Sequence, residues 1–279
     1  MKTLSTIKKD LEFNKGLATL IEVLKNLAAA QYRILEQKIK PFQKFIFAIK
    51  DFVRFLKTVG FKHPFLKEPA GSVCVVAVTS DTGLLGGINM QVVLAAQAEL
   101  EDKDGRLIVI GERGKMYASE GKIPFIWFSG IVDEERFAQA MQLRNYIMEK
   151  FYEKAFSSVK IVYPHPVSFT VQKVQIVTLL PFCFEDEEKE IPTVSSLIVE
   201  SELKGIIEYL AYLWLGQKLY DIFGLSRLAE FAARYVHLEE SLQKLKEMDN
   251  KLRLQYFKAR HELIDKNMRE LFSARLAFR

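Results

Sequence analysis

The segment Ser80-Asp81-Thr82-Gly83-Leu84-Leu85-Gly86-Gly87-Ile88-Asn89 is the first place to look for chemistry. It follows the apolar run VCVVAVT, which reads as a strand, and it leads into a helical stretch. In that arrangement backbone N–H groups and a helix N-terminus can cradle a phosphate. The spacing is neither GxGxxG nor GxxxxGK[ST], and the segment holds no lysine. Nucleotide binding is therefore the weaker reading. In the stronger one Gly83, Gly86 and Gly87 permit a tight turn, and Asp81 caps that turn or a helix.

The other reactive side chains are scattered. His63, His165, His237 and His261 have no Ser, Cys or acidic partner at a telling interval, so neither a metal nor a catalytic group is expected. Cys74 and Cys183 lie in apolar runs without a CxxC and read as buried thiols. The run Glu185-Asp186-Glu187-Glu188 reads as a solvated loop, because catalytic carboxylates need burial to shift their pKa. Basic residues line both chain ends: Lys8, Lys9, Lys15, Lys25 and Arg33 on one, Lys251, Arg253, Lys258, Arg260, Lys266 and Arg269 on the other. They read as a solvated coiled-coil face or as a face for an acidic partner surface. No aromatic interleaving supports nucleic acid, and a net charge of +5 is too small to argue for it.

These residues need elements to hold them. Residues 1–57 lack glycine except Gly16 and proline except Pro41, and carry Ile21, Leu24, Ala28, Leu35, Phe42, Ile46, Ile49, Val53 and Leu56 at helical spacing, with skips at Gln31 and Lys38. The spacing predicts a helix about 80 Å long, kinked at Pro41. Residues 58–205 concentrate the turn formers and alternate apolar runs (73–79, 106–111, 124–128, 159–163) with helical stretches (91–100, 115–120, 134–156). That alternation predicts a Rossmann-like α/β middle domain with a mainly parallel sheet and late strands, an antiparallel hairpin, after Val159. Residues 206–279 predict a second helix of about 110 Å, with Leu238, Leu242, Leu245, Leu252, Tyr256, Ala259 and Leu263 as its seam. The two terminal helices are too long to fold back onto a middle domain of this size, so an antiparallel coiled coil is expected. No apolar leader follows Met1, and Phe42 to Leu56 is broken by charges, so no bilayer span is expected.

Motifs along almost the whole chain resemble the gamma subunits of F-type ATP synthases. Ile7-Lys8-Lys9 and Leu27-Ala28-Ala29-Ala30-Gln31-Tyr32-Arg33 are similar to that family's I-K-R-R and K-M-V-A-A-A-K-L-R. The glycine segment resembles D-R-G-L-C-G-G-L-N, and Val109-Ile110-Gly111-Glu112-Arg113-Gly114 resembles V-G-x-K-G. Val162-Tyr163, Val167-Ser168, Gln172 and Leu179-Leu180-Pro181 fall as in its strand and L-L-P motifs. Glu230-Phe231-Ala232-Ala233-Arg234 and Tyr256-Phe257-Lys258-Ala259-Arg260 resemble S-E-x-A-A-R-M and Y-N-K-A-R-Q. Departures fall at Thr82, where the family has arginine, at His261 and Asp265, and in the charged tip with Arg275 and Arg279.

The resemblance implies a non-catalytic central-stalk rotor subunit without cofactor or metal. Its partners would be the alpha, beta and epsilon subunits and the membrane c-ring, and it would sit peripherally on the cytoplasmic face of a bacterial inner membrane. It also implies that Leu24, Arg260, His261 and Asp265 contact the beta subunit, and that Glu230 and Arg234 stabilise the shaft and its contact with the head. The glycine segment with Asp81, Gly83, Gly86 and Gly87 would be structural. Two other readings stay open: a Rossmann-like nucleotide-binding protein with helical arms, and a coiled-coil scaffold or the rotor of a variant ATPase.

Overall fold

The computed structural model describes residues 3–39, 43–66, 71–101, 104–121, 123–182 and 202–277. Pro41, Cys183, the acidic run Glu185–Glu190 and the tip residues Phe278 and Arg279 lie outside the described residues. The chain forms two compact units, residues 1–30 with 235–279 and residues 31–234. Helices α1 (Leu4–Lys38) and α6 (Leu203–Ala277) each contribute to both. Among the described residues no helix is long and apolar enough to cross a membrane.

The larger unit is built on five strands: β1 (Val73–Val78), β2 (Gly105–Ile110), β3 (Phe125–Phe128), β4 (Ser158–Pro166) and β5 (Gln172–Leu180). Their order is β3-β2-β1-β4-β5. The first four run parallel, and β5 returns antiparallel to β4. An antiparallel hairpin is therefore present, but residues 167–182 supply only its turn (167–171) and second arm, and its first arm is β4. Strand β1 is buried throughout, because it is covered on both faces. Val73, Val75 and Ala77 meet α3 (Ile88–Ala98) and α4 (Glu112–Glu120). Cys74, Val76 and Val78 join a core shared with α2 (Gln43–Thr58), α5 (Arg136–Tyr152) and α6. Period-2 alternation thus sends successive residues of one strand into two different cores.

In the smaller unit Ile7 and Ala28 of α1 are buried, as are Leu238, Leu242 and Leu245 of α6. Buried and half-buried positions of α1 step by four and three: Ile7, Leu11, Asn14, Ala18, Ile21, Lys25, Ala28. Those of α6 do the same: Leu238, Leu242, Leu245, Asp249, Leu252, Tyr256, Ala259. This is heptad spacing. Lys25 Nζ and Glu239 Oε2, 2.7 Å apart, join the two helices.

Candidate functional site

Strand β1 ends in the glycine segment, at the edge where an open α/β sheet of this order would hold a ligand. The segment is braced from within: Asn89 Nδ2 donates to Ser80 Oγ at 2.8 Å, and Asn89 Oδ1 accepts from the Ser80 amide at 3.3 Å. Asp81 Oδ1 accepts from the Glu112 amide at 2.9 Å and the Gly130 amide at 3.1 Å. One carboxylate thus caps α4 and ties together the loops after β1, β2 and β3. Of the three glycines only Gly86 has positive φ, at 61°, and Leu84, two residues before it, takes 66°. Gly83 instead leaves room for the Arg113 guanidinium, whose Nη2 would stand 3.1 Å from an added Cβ. Gly87 has an ordinary φ of −93°.

Helix α6 fills the crevice above this loop. Residues 228–233 are buried on every side of the helix. Ala233 packs on Leu85 and Ile88, while Leu228, Phe231 and Ala232 pack on Tyr32 and Leu35 of α1. Glu230, 5% exposed, is the polar centre. Its Oε1 accepts from Thr82 Oγ1 at 3.2 Å and Arg234 Nη2 at 2.7 Å, and its Oε2 accepts from Arg227 Nη1 at 2.6 Å. Arg234 Nη2 also donates to Thr82 Oγ1. Arg227 holds Asp133 side-on through Nε at 3.1 Å and Nη2 at 3.3 Å. Burial pulls the Arg227 pKa down, but Glu230 and Asp133 outweigh it and hold the guanidinium above the ordinary arginine value. Two cations and two anions thereby fix α6 to the loops after β1 and β3. Arg227 is legible one turn before Glu230 on the same helix face, whereas nothing in the sequence singles out Asp133.

The remaining expected residues lie in the smaller unit. Leu24 is half-buried beside the seam. Arg260, His261 and Asp265 are exposed, the last two one turn apart on one face of α6. Lys25 pairs with Glu239, and Arg260 lies about 30 Å further along α6, so Leu24 and this trio are not brought together. Beyond Met248 most large apolar side chains of α6 are turned outward, Leu252 and Tyr256 of the seam excepted: Leu254, Phe257, Leu263, Ile264, Met268, Leu271 and Phe272 are all exposed. Cys74 is buried, and burial pushes its thiol up to about 12, out of reach of thiolate chemistry.

Residues 3–278 match the profile of the family described as ATP synthase. Among curated proteins, the ATP synthase gamma chain of Desulforamulus reducens is 24% identical over 276 residues, covering 97% of each chain. That of Bdellovibrio bacteriovorus is 26% identical over 288 residues, covering 98% of each. Among solved structures, a chain of the Euglena gracilis mitochondrial ATP synthase, from the assembly of OSCP, F1 and c-ring, superposes with a TM-score of 0.72 at 17% identity. That superposition covers 99% of this chain and 94% of the other. A chain of the Tetrahymena thermophila central stalk and c-ring gives 0.59 at 20% identity, covering 80% and 99%.

Proposed function

The chain belongs to the ATP synthase gamma-chain family, and on that premise we propose that it is the central-stalk rotor of an F-type ATP synthase. In this role it couples ion-driven rotation of the c-ring to ATP synthesis or hydrolysis in the alpha/beta head, and it catalyses nothing itself. The observation that carries this reading is the use of α6. Where a nucleotide-binding fold keeps its crevice open, residues 228–234 of α6 close it with Glu230, Arg234 and a ring of apolar contacts. The same helix runs on to Ala277 with a solvent-facing apolar surface.

The physical action is differential binding. A helix pair with different side chains around its circumference offers each surrounding head subunit a different face at any one angle. Each angle then favours one conformation of each catalytic site, and turning the pair shifts those populations in sequence. In this reading Leu24, Arg260, His261 and Asp265 contact the beta subunits, and Arg260 supplies a charge-assisted donor. Epsilon and the c-ring bind the larger unit and hold the chain peripherally on the cytoplasmic face of a bacterial inner membrane. Co-purification of the tagged chain from its native membranes is the test. Recovery with alpha, beta, epsilon and c subunits in rotor-like proportion is expected. Recovery alone, as a self-associated coiled coil, would make it a scaffold instead.

A further inference from the structure

Helix α5 carries two buried arginines, Arg136 at 6% exposure and Arg144 at 7%. Among the described residues neither joins an ion pair. Nε and Nη1 of Arg136 are buried without a hydrogen-bond partner. Asp221 of α6 acts on Arg136 electrostatically but not in contact, and burying a cation without a contacting counter-ion is costly, so such a group needs a reason to be there.

Each arginine is met by a tyrosine of α6. The Arg136 guanidinium lies 4.4 Å from the Tyr220 ring centroid, and its Nη2 donates to the Tyr220 hydroxyl at 2.8 Å. The Arg144 guanidinium lies 3.5 Å from the Tyr212 ring centroid, and its Nη2 donates to the Tyr212 hydroxyl and, at 3.0 Å, to Asn145 Oδ1. A glycine of α6 stands beside each contact. A Cβ on Gly224 would lie 3.1 Å from Arg136 Nη1, and one on Gly216 would lie 3.0 Å from Arg144 Nη1 and 2.9 Å from Met141 Cε.

These positions form two ridges. Arg136, Ala140 and Arg144 step by four along α5, and Tyr212, Gly216, Tyr220 and Gly224 step by four along α6. Such rows are the ones that interdigitate when helices pack. Here one ridge alternates tyrosine with glycine, so it is notched, and the other sets a planar cation into each notch. The pairing 136 with 220 and 144 with 212 makes the helices antiparallel and spaces the two rungs about 12 Å apart. An apolar ridge can slip and repack at small cost. A guanidinium stacked on one ring and bonded to that ring's hydroxyl has one geometry. On its other side α5 is anchored to the sheet through the core that holds Leu143, Ile147 and Phe151 with strands β1, β2 and β4.

We propose that the two Arg–Tyr rungs, seated in the glycine notches of α6, form a spline through which torque passes between α6 and the sheet layer. Arg136, Arg144, Tyr212 and Tyr220 are then positioning residues, and the inference rests on the rotor function above.

The test reconstitutes the chain with its cognate alpha, beta, epsilon and c subunits in vesicles, carrying either Y212F/Y220F or R136K/R144K. ATP hydrolysis is read with the ion gradient collapsed by ionophore, and the largest ATP-driven membrane potential is read with a voltage-sensitive dye. A slipping spline fails under load, so hydrolysis should stay at the wild-type rate while the maximal potential falls roughly twofold or more. A wild-type potential in either assembled variant would overturn the spline, and so would a parallel loss of both activities, which marks general damage. Should R136K/R144K fail to assemble, Y212F/Y220F decides, because phenylalanine keeps the rings in place. Failure of that pair to assemble would make the rungs a folding element and also overturn the proposal. A wild-type chain that does not assemble, or supports hydrolysis without any potential, would instead sink the rotor function itself.

Discussion

Glu230 accepts hydrogen bonds from Thr82, Arg227 and Arg234 while almost wholly shielded from water. Replacing it by alanine leaves Arg227 with Asp133 alone and Arg234 with only a hydroxyl nearby. Glu230→Ala is expected to destabilise the larger unit by about 3 kcal/mol, read as a lower urea midpoint; an unchanged midpoint would mean the cluster is not what holds α6 on the loops. His63 gives a pH prediction. Its Nδ1 accepts from the Phe65 amide at 3.3 Å, and its Nε2 lies 3.6 Å from Glu208. Burial lowers its pKa below the ordinary 6.5, against the opposite pull of Glu208. Between the two values the unfolded chain binds more protons than the folded one. Stability is therefore full above 6.5 and declines as pH falls through 6.5 toward the folded value. His165, whose pKa burial also lowers, adds in the same direction. His63→Gln should weaken, without abolishing, the decline in urea midpoint on acidification, and an identical slope would count against the assignment. At this scale the sequence was legible in residue types more than in partners. Asp81 reads as a cap from its place before the glycines, yet the helix it caps is α4, because the parallel crossover brings a second loop to the same edge. Likewise, nothing local to residues 80–89 marks Leu84, two residues before Gly86, as a left-handed position.

Heptad spacing makes the helix pair readable, since each seam needs only its own helix to be recognised. The expected seam includes Leu24 and steps from Ala28 to Leu35 with a skip at Gln31. The structure buries Leu35 as expected and adds Tyr32 between it and Ala28, a four-residue step followed by a three-residue one. A tyrosine at a seam is easy to overlook, because half of it is polar. Asn14 is the other departure. It is 8% exposed, its Nδ2 has no partner, and the seam there opens into a groove of about 690 Å³ lined also by Asp249 and Arg253. A polar seam residue of this kind fixes register at the expense of stability. Asn14→Leu is expected to stabilise the helix pair by about 1–2 kcal/mol, seen as slower amide hydrogen exchange in α1. Faster exchange would mean that Asn14 contributes more than register. The first three strands were legible because each is a short apolar run with glycine or proline close by. The α5–α6 ridge was not, since its alternation of Tyr with Gly shows only once the facing arginines are known.

At the scale of the whole molecule, stability and function separate along α6. Between Ile207 and Leu245 most of its large apolar side chains are buried by this chain's own elements, Tyr209 and Tyr212 excepted, whereas Leu271 and Phe272 are 67% and 60% exposed. Large apolar groups that are not covered within a chain mark a surface for another. On the proposed rotor function we assign that surface to the head. The substitution L271E/F272E should therefore leave the urea midpoint of the isolated chain within about 0.5 kcal/mol of wild type, as expected for exposed positions. It should nonetheless reduce recovery of alpha and beta subunits on the tagged chain several-fold, because a carboxylate buried at an interface without a partner costs several kcal/mol, on the order of a hundredfold in affinity. Epsilon and c subunits, which this reading assigns to the larger unit, should be retained. Loss of all four partners together would mean that the end of α6 organises the whole assembly, and full recovery of alpha and beta would mean that the head grips the helix pair elsewhere, nearer Leu24 or Arg260.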